Sequence, residues 1–330
     1  MKIKLEELRQ LTRKAVLVYG YIEEEADILS EVMLYAQLRG NNQGIVKLIG
    51  AGIPKALDTK PVVVEKETKI SAFLDGNQNH AMLVVNQATD IAVQKAKEIG
   101  IGVVGAHGIN TSSGALGFYA RKIANAGLVG IVCSGSMETV AAHGSSEAIL
   151  GTNPFAIAVP SEDEPMVYDI TTAAMAYFGV VEAHTAGRKL PDGIAFDKDG
   201  NPTTIPADVM EDGALKSFDG SHKGSGLSVM VQALTGPLMD AYFTGIGDVK
   251  KNWGGHFVLA IDPELFAGAE TMRKNVSLMV KKIKATRKLE GVTEIYVPGE
   301  RGDERTKTAE NSGEVEIEDN LYKELKKVAG

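Results

Sequence analysis

The chain has 330 residues, of which 44% are hydrophobic and 24% charged, so it is long enough for two domains and ordinary in composition for a globular protein. Its formal net charge of -8 argues against nonspecific nucleic-acid binding, which depends on a clustered positive surface. The apolar runs are too short for a membrane span, the N-terminal segment lacks the apolar core of a signal peptide, and the single cysteine, Cys133, indicates a reducing compartment, so we expect a cytoplasmic protein.

The predicted elements divide the chain into a helical opening and an alternating centre. In the first 58 residues, apolar side chains at three- and four-residue steps predict helices at 5–19, 23–39 and 44–57. From about residue 62 the prediction is strands at 62–68, 69–76, 101–106, 128–135, 151–160 and 166–172, with helices at 81–99 and 115–126. Alternation of this kind is typical of an α/β layer.

The last third of the chain is more varied. Residues 186–220 hold many proline and turn residues and predict a long irregular surface segment. A helix is predicted at 225–242, followed by a strand at 256–263 and by helices at 263–288 and 319–329. We expect the polar segment 299–314 to be exposed or to fold over a site.

Gly100, Gly102 and Gly105 have the G-x-G-x-x-G spacing of a dinucleotide fingerprint. That fingerprint binds a pyrophosphate when a strand ends at the first glycine and a helix begins after the last, because the amides of the helix N-terminus then meet the phosphates. Here a predicted helix precedes the glycines and a short apolar strand follows them. We therefore interpret Gly100 as the C-terminal cap of that helix and expect any cofactor site elsewhere.

Polar residues follow or precede several predicted strands, at positions where open α/β sheets bind ligands. Ser112 and Ser113 come before a predicted helix start, where hydroxyls and free amides suit a phosphate. Asn153, before Pro154, is expected to be extended and to aim its carboxamide ahead of the strand. An ordinary cap or turn explains each of these positions equally well.

Two charged residues have comparable positions. Asp169 ends an apolar strand, where a carboxylate can orient a base or a cationic substrate, and Lys223 lies in a turn from which an ammonium reaches a phosphate or carboxylate. A helix cap and a solvent-facing lysine are the alternative interpretations.

The remaining motifs favour neither a metal site nor a hydrolase. The histidines are scattered without H-x-x-x-H spacing, and there is no C-x-x-C pair, so we expect no bound metal. The segment GSGLS at 224–228 is not a G-x-S-x-G nucleophile elbow, which argues against a serine hydrolase.

Taken together, the chain resembles the malate/L-lactate dehydrogenase family that is unrelated to the Rossmann-type lactate dehydrogenases. Its relatives include ureidoglycolate dehydrogenase, diketogulonate reductase, sulfolactate dehydrogenase and the piperideine-2-carboxylate reductases. The resemblance covers nearly the whole chain and rests on the segments LRGNNQG, NTSSGALGFYA, GTNPFAIAVP, YDITT, KDGNPTT, HKGSGL and GGHFVLAID. GTNP with a downstream KGxGL is far more specific than the glycine fingerprint.

The resemblance implies a non-Rossmann α/β domain that binds NADH or NADPH, together with a mainly helical domain. We expect residues 1–70 and about 225–330 to form the helical catalytic and dimerisation domain of a homodimer, and residues of about 71–224 to form the NAD(P)-binding domain. Matching motif positions implies cofactor contacts at Ser112, Ser113, Asn153, Val167, Tyr168, Ile170, Thr171, Thr172, His222, Lys223, Gly299, Glu300 and Arg301.

The implied reaction is hydride transfer between the nicotinamide and C2 of a small 2-hydroxy or 2-oxo acid, or a cyclic imine carboxylate. In such a reaction the cofactor carries the hydride, and the protein positions the substrate and a proton donor. The individual substrate, and the choice between NADH and NADPH, do not follow from the sequence.

The chain departs from the family in its expected catalytic residues. The family's opening motif is arginine-glycine, two residues, then serine-histidine-glycine, and that histidine transfers the proton. Here RGNNQG is one residue shorter and has Gln43, which cannot act as an acid or base near neutral pH. Lys47 matches the motif's arginine and keeps its charge without the bidentate fork, and Ser112 replaces a second family histidine.

Several explanations of this departure stay open. Another group supplies the proton, with His107 the first candidate and Lys47 or Asp169 next, or the substrate is polarised and water relays the proton. His107 as donor predicts a limb of activity at about pH 6 to 7 that disappears in His107→Ala. The alternative is a nucleotide-binding, non-catalytic or regulatory homologue that has lost its proton donor.

Overall fold

A computed structural model describes residues 1–41 and 44–330 of the chain. The helices are α1 (Leu5–Val18), α2 (Glu23–Leu38), α3 (Ala81–Ile99), α4 (Leu116–Asn125), α5 (Tyr177–Thr185), α6 (Pro206–Met210), α7 (His222–Thr235), α8 (Ala269–Lys284), α9 (Glu300–Ser312) and α10 (Asp319–Ala329). The strands are β1 (Lys2–Lys4), β2 (Val63–Glu67), β3 (Ser71–Asp75), β4 (Ile101–His107), β5 (Val129–Ser134), β6 (Val140–Ala141), β7 (Ala148–Leu150), β8 (Phe155–Val159), β9 (Met166–Ile170), β10 (Ala195–Phe196), β11 (Ala214–Leu215), β12 (His256–Ile261) and β13 (Glu314–Glu316). Short 3₁₀ helices cover Ile45–Leu48, Pro237–Met239 and Pro263–Leu265.

The main sheet of the described chain has the strand order β2-β3-β4-β12-β5-β8-β9. The β3 and β4 strands pair in parallel and the other neighbours are antiparallel, so the sheet is mixed. The combination of this sheet with helices confirms the predicted α/β fold class. Strand β12, from the predicted helical domain, lies in the centre of this sheet between β4 and β5. The sheet therefore crosses the expected boundary near residue 225, and the division into two domains stays a prediction.

The hydrophobic core joins the N-terminal helices to the main sheet. Val16 of α1, Leu29 of α2, Val85 of α3 and Ile123 of α4 belong to a single buried cluster that also includes Leu325 of α10. A separate cluster lies around the smaller sheet of order β10-β11-β6-β7 and helix α5. Burial of apolar side chains drives both, so the two ends of the chain are packed on one core.

The glycine spacing at 100–105 belongs to a helix-to-strand joint, as predicted. Gly100 ends α3 in the left-handed region at φ 92°, with its N–H donating to the Ala96 carbonyl at 2.8 Å. A Cβ added to Gly102 of β4 would lie 2.0 Å from the Ala92 oxygen. These glycines serve the close packing of α3 on the sheet.

Two element predictions were wrong. The predicted helix at 44–57 is only a 3₁₀ turn over Ile45–Leu48, because Gly50 and Gly52 adopt φ of 66° and 63° and Pro54 follows. The segment 186–220 is not wholly irregular, since it contains β10, α6 and β11.

The structure also orders the polar segment near the C-terminus. Residues 300–312 form α9, whose buried Asp303 accepts hydrogen bonds from Arg39 at 2.5 Å and from Arg121 at 2.8 Å. This ion-pair cluster attaches α9 to the end of α2 and to α4. None of the helices in the described residues combines the length and apolarity needed to cross a membrane.

Candidate active site

Two adjoining cavities open near one end of the main sheet. The first, of about 570 Å³, is called the sheet cavity and is lined by residues in or after the ends of β4, β5 and β9, including Ser113, Ser134, Asp169 and Thr171. The second, of about 1300 Å³, is called the helix cavity and is lined by Lys47, His80 and residues of α5 and α10, among others. The two share a wall formed by Gly40, Asn41, Thr111, Ser112, Phe178 and Trp253.

Many of the residues that line the sheet cavity carry neutral hydrogen-bonding groups. Hydroxyls come from Ser112, Ser113, Ser134, Ser136, Thr139, Thr152 and Thr171. The Ser113 hydroxyl donates to Ser134 Oγ at 3.3 Å, and Ser136 Oγ accepts from the Thr152 N–H at 2.9 Å. Its described lining contains no lysine or arginine, so a ligand there would be bound by hydroxyls and backbone groups.

Asp169 is the carboxylate of the sheet cavity's described lining. Its Oδ2 accepts from the N–H of Gly117, in the first turn of α4, at 2.8 Å. Burial raises the pKa of Asp169 to about 6, and the Gly117 hydrogen bond opposes that rise. A Cβ at position 117 would lie 2.9 Å from this oxygen and 2.8 Å from the Tyr35 hydroxyl oxygen, so glycine allows the close approach.

Lys47 lies on the other side of the shared wall. It is 3% exposed, and its Nζ donates to Ser112 Oγ at 2.9 Å and lies 3.4 Å from the centre of the Phe178 ring. Burial lowers the pKa of the Lys47 amine well below its usual value, because the charged form loses its hydration. Among the ion pairs of the described residues, none involves Lys47. The amine is therefore placed to acquire charge when an anion arrives.

His80, which was not a predicted site residue, lines the helix cavity together with Lys47. It is 5% exposed and caps α3, where its Nδ1 accepts from the Met82 N–H at 3.3 Å. The ring hydrogen is therefore on Nε2. Burial, and then the charge of Lys47, lower the pKa of His80 to about 3, so it stays neutral. In sequence, a histidine before an amphipathic helix looks like any other cap.

Several predicted cofactor residues do meet in the sheet cavity. Tyr168, Ile170 and Thr171 line it together with Ser112 and Ser113. Val167 and Thr172 are buried behind this surface, and the Thr172 hydroxyl donates to the Thr152 carbonyl at 3.0 Å.

The backbone conformation of Asn153 differs from the prediction. It is not extended but has φ 37°, a left-handed conformation that asparagine tolerates better than most residues. Its fully buried carboxamide donates to Ser228 Oγ at 3.1 Å and to Gln232 Oε1 at 2.8 Å. The side chain therefore faces α7 and fixes the start of β8 to that helix.

His107 lies apart from Lys47 and Asp169. Its Nε2 is 2.9 Å from Glu65 Oε2, and its ring stacks on Phe73 with centroids 4.7 Å apart. The described linings of the two cavities do not include it. Gln43 lies outside the described residues, together with Asn42.

The other predicted cofactor residues lie outside the lining described for the sheet cavity and stay predictions. His222 and Lys223 are exposed at the start of α7. At the start of α9, Glu300 pairs with Lys284 and the Arg301 guanidinium lies 4.5 Å from the centre of the Tyr296 ring. Gly299 packs behind β9, where an added Cβ would lie 2.9 Å from the Val167 oxygen.

A cavity lined by hydroxyls and one ionisable carboxyl, beside a cavity with a buried amine and imidazole, is the arrangement of an enzyme that acts on a small molecule. The chain belongs to the malate/L-lactate dehydrogenase family, whose sequence model matches residues 3–326.

Characterised relatives and solved structures agree with this membership. The chain is 34% identical over 339 residues to malate/(S)-sulfolactate dehydrogenase of Methanothermus fervidus, covering 100% of this chain and 97% of that protein. It is 33% identical over 307 residues to a Δ1-pyrroline-2-carboxylate/Δ1-piperideine-2-carboxylate reductase of Pseudomonas syringae pv. tomato, covering 89% and 87%. The crystal structure of malate dehydrogenase from Entamoeba histolytica superposes with a TM-score of 0.90 at 26% identity, covering 100% of this chain and 97% of that one.

These comparisons confirm the family resemblance, the fold class and the expectation of an NAD(P)-dependent oxidoreductase.

Proposed function

We propose that the chain reduces a small 2-oxo acid or cyclic imine carboxylate with NADH or NADPH, and catalyses the reverse oxidation. The substrate binds in the helix cavity, and the nicotinamide end of the cofactor binds in the sheet cavity. The observation that carries this assignment is the wall at Ser112, which has Asp169 on one side and Lys47 on the other.

The sheet cavity suits a nicotinamide riboside. Hydroxyls such as those of Ser113 and Thr171 match the hydrogen-bonding groups of a ribose and a carboxamide. At Gly135, which lines the cavity, an added Cβ would lie 2.9 Å from Thr235 Oγ1 and 3.2 Å from the Gly254 Cα, so glycine allows the end of β5 to pack closely against α7. When bound, the nicotinamide supplies or accepts the hydride at C2 of the substrate.

Lys47 binds the substrate carboxylate. Burial disfavours the ammonium form of Lys47, and an incoming carboxylate restores the balance by pairing with it. Substrate binding therefore takes up a proton at Nζ whenever the pH is above the lowered pKa of Lys47. The contact with Ser112 Oγ at 2.9 Å holds the amine at the wall shared with the sheet cavity.

Asp169 transfers the proton in place of the family histidine. Its pKa of about 6 is close to the operating pH, which is the condition for efficient general acid–base catalysis. The carboxylic acid donates to the 2-oxo oxygen or imine nitrogen during reduction, and the carboxylate accepts during oxidation. His107, held by Glu65 and Phe73, has no part in this assignment.

His80 polarises the reacting group. Because Nδ1 is engaged by the Met82 N–H, the Nε2–H is the donor available to a ligand in the helix cavity. A neutral imidazole that donates a hydrogen bond to a carbonyl oxygen stabilises the charge that develops there.

Cofactor binding and turnover separate this proposal from a non-catalytic homologue. Trp253 lines both cavities, so quenching of its fluorescence reports binding of NADH and NADPH. We expect saturable binding of one cofactor at about micromolar concentration, followed by its oxidation when 2-oxo acids or cyclic imine carboxylates are added. Binding without turnover of any such acid would favour the regulatory alternative, and no binding at millimolar concentration would exclude both.

We also propose a cytoplasmic homodimer. The support for a dimer is apolar surface on α7 and the turn after it, where Val229, Met230 and Leu238 are 47%, 61% and 59% exposed. The support for the location is the single cysteine, Cys133, which is buried. Light scattering coupled to size-exclusion chromatography tests the dimer, which is refuted by a mass near 35.1 kDa at all concentrations.

A further inference from the structure

The positive charges that line the helix cavity are largely neutralised. Lys55 Nζ lies 2.7 Å from both carboxylate oxygens of Glu25, and the Arg188 guanidinium lies 2.7 Å from Glu182. Among the cationic side chains of the described lining, Lys47 is therefore the one without a carboxylate partner. One anionic group of a ligand can be paired inside this cavity.

The rest of the charged lining is acidic. Glu316 and Glu318 line the cavity and have no cationic partner among the ion pairs of the described residues, whereas Glu182 pairs with Arg188 and Glu324 with Lys327. The Glu318 carboxylate already accepts from the Leu321 N–H at 2.7 Å, as the cap of α10. A second carboxylate or sulfonate on the ligand would meet these groups, and like charges at close range disfavour binding.

Apolar side chains cover much of the remaining wall. They include Ile49, Ile53, Pro54, Leu57, Val181 and Leu321. At about 1300 Å³ the cavity exceeds the roughly 300 to 1,000 Å³ typical of small-molecule sites. A three- or four-carbon acid leaves most of this apolar surface in contact with water, whereas a larger apolar substituent buries it.

We infer that the substrate is a monoanion, a 2-oxo acid or cyclic imine carboxylate with a bulky aliphatic or aromatic substituent, rather than a dicarboxylate or a sulfonated acid. This inference rests on the proposed function and specifies its substrate class. Lys47 pairs with the single carboxylate, and the substituent lies against the apolar wall between the 3₁₀ turn and α5.

The test compares kcat/KM for 2-oxobutanoate, 2-oxohexanoate, phenylpyruvate and oxaloacetate, and measures binding of the same acids through Trp253 fluorescence with the preferred cofactor present. Each buried methylene is worth about fourfold, so we expect about a fifteenfold gain from 2-oxobutanoate to 2-oxohexanoate, with oxaloacetate the poorest. Oxaloacetate as the best ligand, or no gain with chain length, would overturn the inference. If the acids bind in the expected order without turnover, the proposed function fails and the inferred ligand class stands.

A variant that adds a positive charge sharpens the test. Leu57 lines the cavity and is fully exposed, so Leu57→Arg adds an unpaired cation without disturbing the core. We expect the ratio of kcat/KM for oxaloacetate to that for 2-oxohexanoate to rise about fivefold. Leu289→Arg, at a position 80% exposed and outside the described lining, is the matched control and should leave the ratio unchanged. An equal change in both variants, or none in Leu57→Arg, counts against the inference.

Discussion

The sheet cavity and the helix cavity share a wall but are built on different principles. The sheet cavity presents hydroxyls and backbone from strand ends, and its described lining has no lysine or arginine. The helix cavity is mainly apolar and carries a buried amine and a buried imidazole. The ends of strands in the main sheet form much of the sheet cavity, whereas a few buried side chains determine the chemistry of the helix cavity. We therefore expect cofactor binding to tolerate substitutions that change substrate use strongly.

The largest effect is expected at Asp169. Asp169→Asn removes the proposed proton donor, and kcat for reduction should fall by about 10² to 10³. In the unaltered protein, the raised pKa means that reduction slows as pH rises through about 6, because the acid form is lost, while oxidation speeds up over the same range. Both limbs should be absent from the pH profile of the variant.

The cofactor affinity of Asp169→Asn is the control for that experiment. We expect it to stay within about threefold of the original value, because the cavity is lined mainly by other groups. A retained limb near pH 6 would show that another group transfers the proton.

Lys47→Met is expected to raise KM for a 2-oxo acid by about 100-fold, since a buried carboxylate loses its partner. The dissociation constant of the cofactor should hardly change, which separates the two cavities. Lys97→Met, on the exposed face of α3, is a matched control for which KM should stay constant.

The lowered pKa of Lys47 also predicts how KM changes with pH. Because burial lowers the pKa of Lys47, the ammonium that binds the carboxylate is lost as pH rises through that lowered value, and KM should increase. In the unfolded chain the Lys47 amine is protonated below a pH of about 10, and folding must either remove that proton or bury the charge, which lowers stability. Lys47→Met removes this cost and should therefore raise the melting temperature by about 2 °C or more at neutral pH. A lower melting temperature with unchanged KM would refute the assignment of Lys47 to the carboxylate.

A pair of variants at His80 separates helix capping from polarisation. His80→Ser keeps an oxygen acceptor for the Met82 N–H but removes the Nε2–H donor, so kcat should fall about tenfold with little loss of stability. His80→Ala removes both and should also cost about 1 kcal/mol of folding free energy, as read from thermal or urea denaturation. If His80→Ser keeps its full kcat, the imidazole only caps α3.

The smallest effect is expected at Gly117. Gly117→Ala places a Cβ against Asp169 Oδ2 and should displace that oxygen from the Gly117 N–H. Because this hydrogen bond lowers the pKa of Asp169, the limb near pH 6 should move upward, which leaves more of the acid form at neutral pH and should raise kcat for reduction there by about threefold. A limb that stays in place would mean that the hydrogen bond survives the substitution.

The degree to which the sequence predicts this protein differs between the fold and the site. The helix before Gly100, the strand after it and the strand that ends at Asp169 follow from periodicity and turn residues, and the structure contains them. The helix expected at 44–57 is absent because backbone preferences at Gly50, Gly52 and Pro54 override a weak apolar pattern. The prediction of an extended Asn153 was wrong for another reason, because its conformation depends on partners in α7, far along the chain.

By itself, the sequence determined the class of fold, the family and the helix-to-strand nature of the glycine joint, because local spacing and motif order decide these. Only the tertiary structure shows that β12 lies in the middle of the main sheet and that His107 is hydrogen-bonded to Glu65. It also brings Lys47, Ser112 and His80 together at one pair of cavities. The physical reason is that burial and charge pairing are properties of the packed chain. A lysine in sequence is a solvated cation, whereas Lys47 beneath Phe178 is a desolvated amine that lacks a carboxylate partner among the described residues.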